Sequence, residues 1–339
     1  MSSASPLEAP LVSHKRMRYQ QIDVIKGLAT VSVILLHALE YEALLQTFAI
    51  FHIWQAVPLF MILMGLNLGL SPAGTQTPLL QLYLSKGFRK RIKRLLMPVL
   101  LMYLVSIGVG FIWHSITGKN PVTYKWLNLL GMFPVTGPGN YFVTLVWQSL
   151  LLLPLIGYFY KRKPGVTIVL LVVLEVGFLL LCEGLTFSKE YDYLYSAAFI
   201  RYFSAVAFGL ALSQVVSEPT KPKIWFLLLI LALASVCFLY HIQYQLSDFT
   251  LVRKEWQAQC VLAFGYAALL VVLLFRIFPV VSANRGLLLT AAIGKASYHI
   301  FLVQILYFGL AAQNYSPIQA LAVCLPLGYL FYLIDSKYF

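Results

Sequence analysis

Charged residues are scarce in this chain: they make up only 11% of its 339 residues, whereas 60% are hydrophobic. A soluble globular domain has about 25% charged and about 45–50% apolar residues, so the composition excludes that class. The apolar excess must face lipid, where backbone polar groups are satisfied only within helices or a closed barrel. The apolar runs are continuous rather than alternating, which favours helices.

Several signatures of soluble enzymes are also missing. The four cysteines show no CxxC spacing and no metal-ligand cluster stands out, so we expect neither a metal nor a permanently bound cofactor. The sequence has no Gly-rich phosphate loop and no GxSxG nucleophile elbow. The net charge of +13 comes from basic residues in loops between apolar spans, which argues against a nucleic-acid partner.

Ten apolar runs of roughly 20 residues, the length that crosses a bilayer core, predict an all-α polytopic membrane protein. The predicted spans are 22–44, 48–70, 95–116, 140–160, 165–184, 195–216, 224–241, 257–278, 287–310 and 315–334. We therefore expect a polar tail over 1–19 and a single transmembrane domain over 20–335, without an appended soluble domain.

The distribution of basic residues predicts the orientation. The N-terminal tail and every second loop after it are basic, and the intervening loops hold few Lys or Arg residues. Because cytoplasmic loops are enriched in these residues, both termini are predicted to be cytoplasmic. A cleaved signal peptide is not expected, because the first apolar run is too long and a second span follows at once.

The first span carries a stripe of ionisable residues. Eleven residues return a helix to within about 20° of its starting direction, so Lys26 and His37 share one face, about 16 Å apart along the axis. Asp23 can pair with Lys26, and Glu40, three residues after His37, can reach the imidazole. Ionisable groups within a membrane are costly and typically face a watered cavity, which the stripe therefore predicts.

Other interpretations of this stripe stay open. Asp23 and Lys26 also fit charges that extend to the membrane interface. His37 also fits a structural, hydrogen-bonded histidine, although an imidazole is the natural base at neutral pH.

The stripe resembles the opening motif of the acyltransferase-3 family of integral membrane acyltransferases, which is Arg or Lys, ten residues, then His. This chain has Lys26, where Arg is commoner, then ten residues and His37. Gln304 stands where many members end the last motif with His, so we assign that motif no role. The further similar segments are 51–60 with Met64-Gly65, Arg91-Ile-Lys-Arg94 ahead of 95–98, 137–142 and 294–303.

The resemblance implies an O-acyltransferase of the O-acetyltransferase type. Such an enzyme moves an acyl group, usually acetyl, from cytoplasmic acyl-CoA to a hydroxyl of an envelope carbohydrate or glycolipid. His37 is then the general base, or a nucleophile that carries a transient acyl group. Lys26 would steer the donor or stabilise charge on the thioester oxygen, and Asp23 would hold Lys26 in place. The expected partners are acetyl-CoA or another acyl-CoA, the acceptor and the lipid bilayer of a bacterial plasma membrane.

Basic residues before the third span are the candidates for binding the donor. Arg91 and Arg94, with Arg89 beside them, lie at the predicted cytoplasmic mouth. Guanidinium groups bind phosphate bidentately, which suits the phosphates of coenzyme A. The alternative is that these charges set the topology and bind only lipid head groups.

Five residues are further candidates for the cavity or the acceptor site: Glu40, His52, Tyr141, Glu175 and Arg201. Glu175 lies within the fifth span and is either functional or a hydrogen-bonded packing residue. Arg201 also fits an ion pair with the acidic segment 183–192. Tyr141 fits a sugar platform or an interface anchor, and His52 lies in a family-like motif or is structural.

A transporter of a saccharide or small polar solute is the alternative function, because ten helices around buried polar groups also describe carriers. The Lys26–His37 pair together with cytoplasmic arginines favours the enzyme, since a carrier needs no phosphate clamp. A non-catalytic scaffold is disfavoured, because intramembrane ionisable residues are costly without a use.

Overall fold

A computed structural model describes residues 19–71, 78–184, 192–217, 222–246, 252–311 and 316–338. The predicted tail over 1–19 lies outside the described residues except for Tyr19. Five internal stretches, which apart from residue 315 belong to predicted loops, also lie outside them: 72–77, 185–191, 218–221, 247–251 and 312–315. In chain order the α-helices are α1 Gln20–Ala38, α2 Tyr41–Gln46, α3 Ala56–Gly69, α4 Leu79–Leu84, α5 Lys86–Thr117, α6 Tyr141–Arg162, α7 Pro164–Gly184, α8 Asp192–Ser196, α9 Phe203–Ser217, α10 Pro222–Gln243, α11 Phe264–Ile277, α12 Arg285–Ala311 and α13 Pro317–Tyr338.

Ten helical segments in the described part of the chain are long and apolar enough to cross a membrane, which confirms the predicted all-α polytopic fold. Many large apolar side chains stay exposed around the bundle, as a lipid-facing surface requires. The segments are Gln20–Ala38, Ala49–Gly69, Lys86–Thr117, Tyr141–Arg162, Pro164–Cys182, Asp192–Val216, Trp225–Gln243, Lys254–Ile277, Arg285–Ala311 and Pro317–Tyr338.

Two of the helix boundaries that differ from the prediction concern the candidate site. Helix α1 ends at Ala38, six residues early, because Leu39 is extended with a ψ of 145°. Helix α5 begins at Lys86, so the basic run 86–94, predicted as a loop, forms its first turns. Lys and Arg are good helix formers, and the Ser85 hydroxyl caps the helix by accepting a backbone N–H at 3.1 Å.

Helix α1 packs closely against α12 near the centre of the bundle. A β-carbon at Gly27 would collide with the carbonyl oxygen of Thr290, and one at Gly294 would collide with that of Asp23. The two backbones therefore touch, as small residues allow at helix interfaces in membranes. Helix α1 also contacts α3, α11 and α13.

The beginnings of α1, α5 and α12 mark one end of the bundle, which we call the basic end. The backbone N–H of Gln20 donates to the Val280 carbonyl at 3.3 Å, so α1 begins beside the segment that leads into α12. The Tyr298 hydroxyl of α12 donates to the Leu95 carbonyl of α5 at 3.1 Å. The basic run of α5 is therefore anchored at this end, the end predicted to be cytoplasmic.

Candidate active site

His37 lies in the last turn of α1, toward the end of the bundle opposite the basic end. It is not in the middle of its span, because α1 is shorter than predicted. The imidazole meets the ring of Phe308 edge-on, with 5.9 Å between ring centroids. The residue as a whole is partly buried.

A glycine turn from the loop before α6 covers the imidazole. Gly139 has a φ of 82°, in the left-handed region that favours glycine. A β-carbon there would lie 3.7 Å from Nε2 of His37 and 3.1 Å from the Phe301 ring. A β-carbon at Gly137 would collide with the Ile305 carbonyl, so the turn lies directly on α12. A side chain at position 139 would therefore crowd the Phe301 ring beside Nε2.

Hydrogen bonds from buried side chains hold this turn on both sides. The side-chain oxygen of Asn140 accepts the backbone N–H of Phe133 at 2.9 Å. The hydroxyl of Ser106, from α5, accepts the backbone N–H of Val135 at 3.2 Å. Buried polar groups that are paired in this way specify one arrangement, so the position of the turn over His37 is well defined.

Asp23 and Lys26 lie on α1 toward the basic end. Asp23 is buried and Lys26 is partly buried. Because α1 is one continuous helix, Lys26 stays about 16 Å from His37 along the axis. Asp23 and Lys26 therefore lie toward the basic end of α1, and His37 lies toward the opposite end.

Glu40 and His52 lie outside the interior of the bundle. Glu40 follows the end of α1 as the exposed residue before α2, so the helical spacing that predicted its approach to His37 does not apply. His52 is exposed and follows a short 3-10 helix, Ala49–Phe51. Both residues fit surface positions better than a cavity lining.

Arg89, Arg91 and Arg94 are exposed in the first turns of α5. The free N–H groups and the dipole of a helix N-terminus add to the attraction for anions at such a position. Three arginines within two turns of a helix therefore form a strongly positive surface at the basic end.

A buried His–Asp pair lies beside these arginines and was missed by the sequence reasoning. Nε2 of His299 is 3.1 Å from Oδ2 of Asp335, and the two side chains are 7% and 8% exposed. Arg94 is close enough to act electrostatically on His299. A carboxylate in the last span is a signal in the sequence, but its partner lies 36 residues away and is revealed only by the packing of α12 on α13.

Arg201, Glu175 and Tyr141 come together near the same end as His37, although they are far apart in the sequence. Glu175 is fully buried, and its Oε2 accepts the backbone N–H of Ser204 at 2.6 Å, at the start of α9. Arg201 is 1% exposed, and its guanidinium carbon lies 4.1 Å from the Trp256 ring centroid. Tyr141 meets the same Trp256 ring edge-on at 5.2 Å.

The possible ion pair of Arg201 with the acidic segment 183–192 is not formed by the described part of that segment. Asp192 pairs instead with Arg253. Among the carboxylates that the structure describes, none lies within 4.0 Å of the Arg201 nitrogens. Glu175 fits the structural role left open by the sequence, because one of its oxygens caps α9.

The sequence model of a family described as an acyltransferase domain, acyltransferase family 3, matches residues 19–334. This range includes α1 with His37, the arginines of α5 and the glycine turn. Neither the curated proteins nor the solved structures give a match. The chain belongs to the acyltransferase-3 family and is an integral membrane acyltransferase.

Proposed function

We propose that this protein transfers an acyl group, in the simplest case acetyl, from cytoplasmic acyl-CoA to a hydroxyl of a carbohydrate or glycolipid of the bacterial envelope. The observation that carries the proposal is the position of the His37 imidazole, toward the end of α1 opposite the basic end, with the β-carbon position of Gly139 3.7 Å from Nε2. Membership of an acyltransferase family supports transfer over transport. The proposed location is the plasma membrane.

The arginines of α5 are proposed to bind the phosphates of the donor. Twelve residues separate Arg94 from Ser106, which corresponds to about 18 Å along α5. Ser106 binds the segment that leads into the Gly139 turn. A donor held at Arg94 must therefore extend by about this length to reach His37, and the extended pantetheine arm of coenzyme A is of that order.

The reaction needs one group that accepts and returns a proton. In the general-base route, the acceptor oxygen attacks the thioester carbonyl while its proton passes to Nε2 of His37. The C–S bond of the tetrahedral intermediate then breaks, and the leaving thiolate takes the proton from the imidazolium. In the nucleophilic route, Nε2 attacks the carbonyl first, and the C–S bond breaks to give an acyl-imidazolium ion and a thiolate. The acceptor oxygen then attacks the acyl group, the C–N bond breaks, and the hydroxyl proton passes to the thiolate. Both routes require access to Nε2.

Of the two roles considered for Lys26, steering the donor fits the geometry better. Its axial distance of about 16 Å from His37 is too long for contact with a thioester oxygen that reacts at the imidazole. A positive charge between the basic end and His37 instead attracts the anionic donor along its path. Asp23, one turn closer to the basic end, is proposed to orient Lys26.

The test uses inside-out membrane vesicles and radiolabelled acetyl-CoA. Wild-type vesicles should transfer label to an acceptor or to the protein, and His37→Ala should reduce the transfer at least about a hundredfold, in line with general-base contributions. His114→Ala, which changes an exposed histidine near the end of α5, is the control and should retain activity. Transfer by purified His37→Ala protein at the wild-type rate would refute the assignment.

A further inference from the structure

The guanidinium group of Arg201 lies in an aromatic cage. Its central carbon is 4.1 Å from the ring centroid of Trp256, 4.6 Å from that of Tyr195 and 5.4 Å from that of Tyr202. Aromatic faces stabilise a cation above the ring plane. They do not accept the in-plane N–H bonds of the guanidinium group, which has five donors and no acceptor.

The nitrogens of Arg201 are incompletely paired. Nη1 donates to the carbonyls of Tyr195 and Ser196 at the long distances of 3.5 and 3.4 Å. Nε and Nη2 are buried and have no hydrogen-bond partner in the part of the chain that the structure describes. These two nitrogens form one edge of the guanidinium plane, the edge that binds a carboxylate or phosphate side-on through two parallel bonds.

Glu175 does not occupy that edge. Its Oε2 is engaged by the start of α9 at Ser204, and its Oε1 has no hydrogen-bond partner among the described residues. The carboxyl group acts on Arg201 electrostatically but stays beyond ion-pair distance. A buried cation without a contacting counter-ion is strongly unfavourable, and a ligand anion at the open edge would relieve this cost.

The cage lies next to the proposed reaction centre. Tyr141 contacts the Trp256 ring of the cage and follows Gly139, which covers His37, by two residues. Two residues of extended chain span at most about 7 Å. Trp256 is itself partly exposed. The contacts from His37 through Gly139, Tyr141 and Trp256 therefore lead to Arg201, and an acceptor with more than one sugar unit can extend between the two places.

We propose that Arg201 binds an anionic group of the acceptor, a carboxylate or a phosphate, while the acceptor hydroxyl reaches His37. This inference rests on the proposed function and narrows its acceptor to an acidic saccharide or glycolipid. The Nε–Nη2 edge supplies the two parallel hydrogen bonds. Trp256 and Tyr141 supply aromatic surface for the sugar ring. The donor phosphates and the acceptor anion then bind to separate arginines, at the basic end and near the opposite end.

The experiment measures binding of three probes to the purified full-length protein in nanodiscs by titration calorimetry. The probes are glucose, glucuronate and glucose 6-phosphate, which differ in the group at one carbon. Wild-type protein should bind at least one anionic sugar about tenfold or more tightly than glucose. Tighter binding of glucuronate indicates a carboxylate on the acceptor, and tighter binding of glucose 6-phosphate indicates a phosphate.

Variants of Arg201 connect the preference to the cage. Arg201→Gln should abolish the preference for an anionic sugar, and Arg201→Lys, which keeps the charge without the fork, should retain a preference with about tenfold weaker binding. If Arg201→Gln does not fold, the test rests on Arg201→Lys and on its expected tenfold weaker binding of the anionic sugar. The control is Arg285→Gln, since Arg285 is exposed at the beginning of α12, at the basic end and away from the cage. It should bind the probes like the wild type.

Three results would overturn the inference: equal binding of the three probes by wild-type protein, a preference that survives in both Arg201 variants at full strength, or no binding of any probe. Transfer of label from acetyl-CoA is followed in the same samples. An anion preference without transfer would contradict the proposed function and leave the Arg201 site standing. Transfer to glucose as fast as to both acidic sugars would contradict the Arg201 assignment alone.

Discussion

The β-carbon position of Gly139 lies 3.7 Å from Nε2 of His37, although 102 residues separate the two in the sequence. The turn reaches this position because it rests on α12 and is tied to α5 through Ser106. A side chain at this position would crowd the nitrogen that both proposed routes use. We therefore expect Gly139 to be required for access to the imidazole.

Gly139→Ala should reduce acyl transfer by about tenfold or more. The added methyl group would lie 3.1 Å from the Phe301 ring, so either the turn shifts or the space beside His37 is filled. A misplacement of reacting groups by about 1 Å is enough for losses of this size. The measurement is the rate of label transfer from acetyl-CoA, together with the melting temperature of the variant.

Gly118→Ala is the matched control for backbone strain. Gly118 has a φ of 71° but no neighbouring atom within 4 Å of its β-carbon position. It shares the left-handed conformation of Gly139 without the steric contact, so it should lose a similar amount of stability and keep its activity. An equal loss of activity in both variants would show that strain, and not access to His37, explains the effect.

Arg94→Gln should raise the KM for acetyl-CoA by about 10- to 100-fold at unchanged kcat, because a hydrogen bond to a charged group is worth about 1.5–3 kcal/mol. Lys93→Gln, which removes an exposed charge from the neighbouring position, is the control and should have a smaller effect. Equal effects of the two changes would indicate diffuse attraction to the basic surface instead of a phosphate contact at Arg94.

Most of the fold follows from the sequence because each helix that crosses the lipid bilayer needs about 20 predominantly apolar residues. Length and apolar content were sufficient to predict ten spans, and the spacing of Lys26 and His37 placed both on one helix. The early end of α1 was not predictable, since neither Pro nor Gly occurs between Ala38 and Phe48. The helical relation of Glu40 to His37 failed for this reason.

The contacts of the candidate site were less predictable than its residues. The sequence singled out Tyr141, Glu175 and Arg201, but their meeting around Trp256 depends on the packing of helices and an irregular segment. Contacts between distant positions leave no periodic signal in a single sequence. The same reason explains why the pair His299–Asp335 escaped notice.

Gln304→Leu should raise the melting temperature by an amount on the order of a few degrees. Gln304 is 1% exposed, and neither side-chain polar atom has a partner among the described residues, so its removal relieves an unsatisfied buried amide. Gln21→Leu is the comparison, and it should lower the melting temperature, because it removes hydrogen bonds that are formed. The amide nitrogen of Gln21 donates to the carbonyls of Phe275 and Phe278 at 3.0 and 2.8 Å. Equal destabilisation by both changes would contradict this prediction.

His299→Leu should destabilise the protein by about 3–5 kcal/mol, because it leaves the buried Asp335 carboxylate without its partner. The double variant with Asp335→Leu should recover most of this loss. The exposed pair of Arg253 and Asp192 is the comparison, and breaking it should cost less than about 1 kcal/mol. Chemical unfolding in detergent measures both single variants, the double variant and a variant with the Arg253–Asp192 pair broken. Additive losses in the double variant would show that the buried pair is not coupled.

The central claim is that a thioester held by the arginines of α5 reaches His37. The most direct measurement is an experimental structure of the protein in nanodiscs with a non-reactive thioether analogue of acetyl-CoA. We expect phosphate oxygens of the analogue within hydrogen-bond distance of Arg91 or Arg94. We also expect the acyl carbonyl carbon to lie within about 6 Å of Nε2 of His37, because a hydroxyl oxygen between them can contact both atoms at about 3 Å. An acyl group bound more than about 10 Å from this nitrogen would contradict the account.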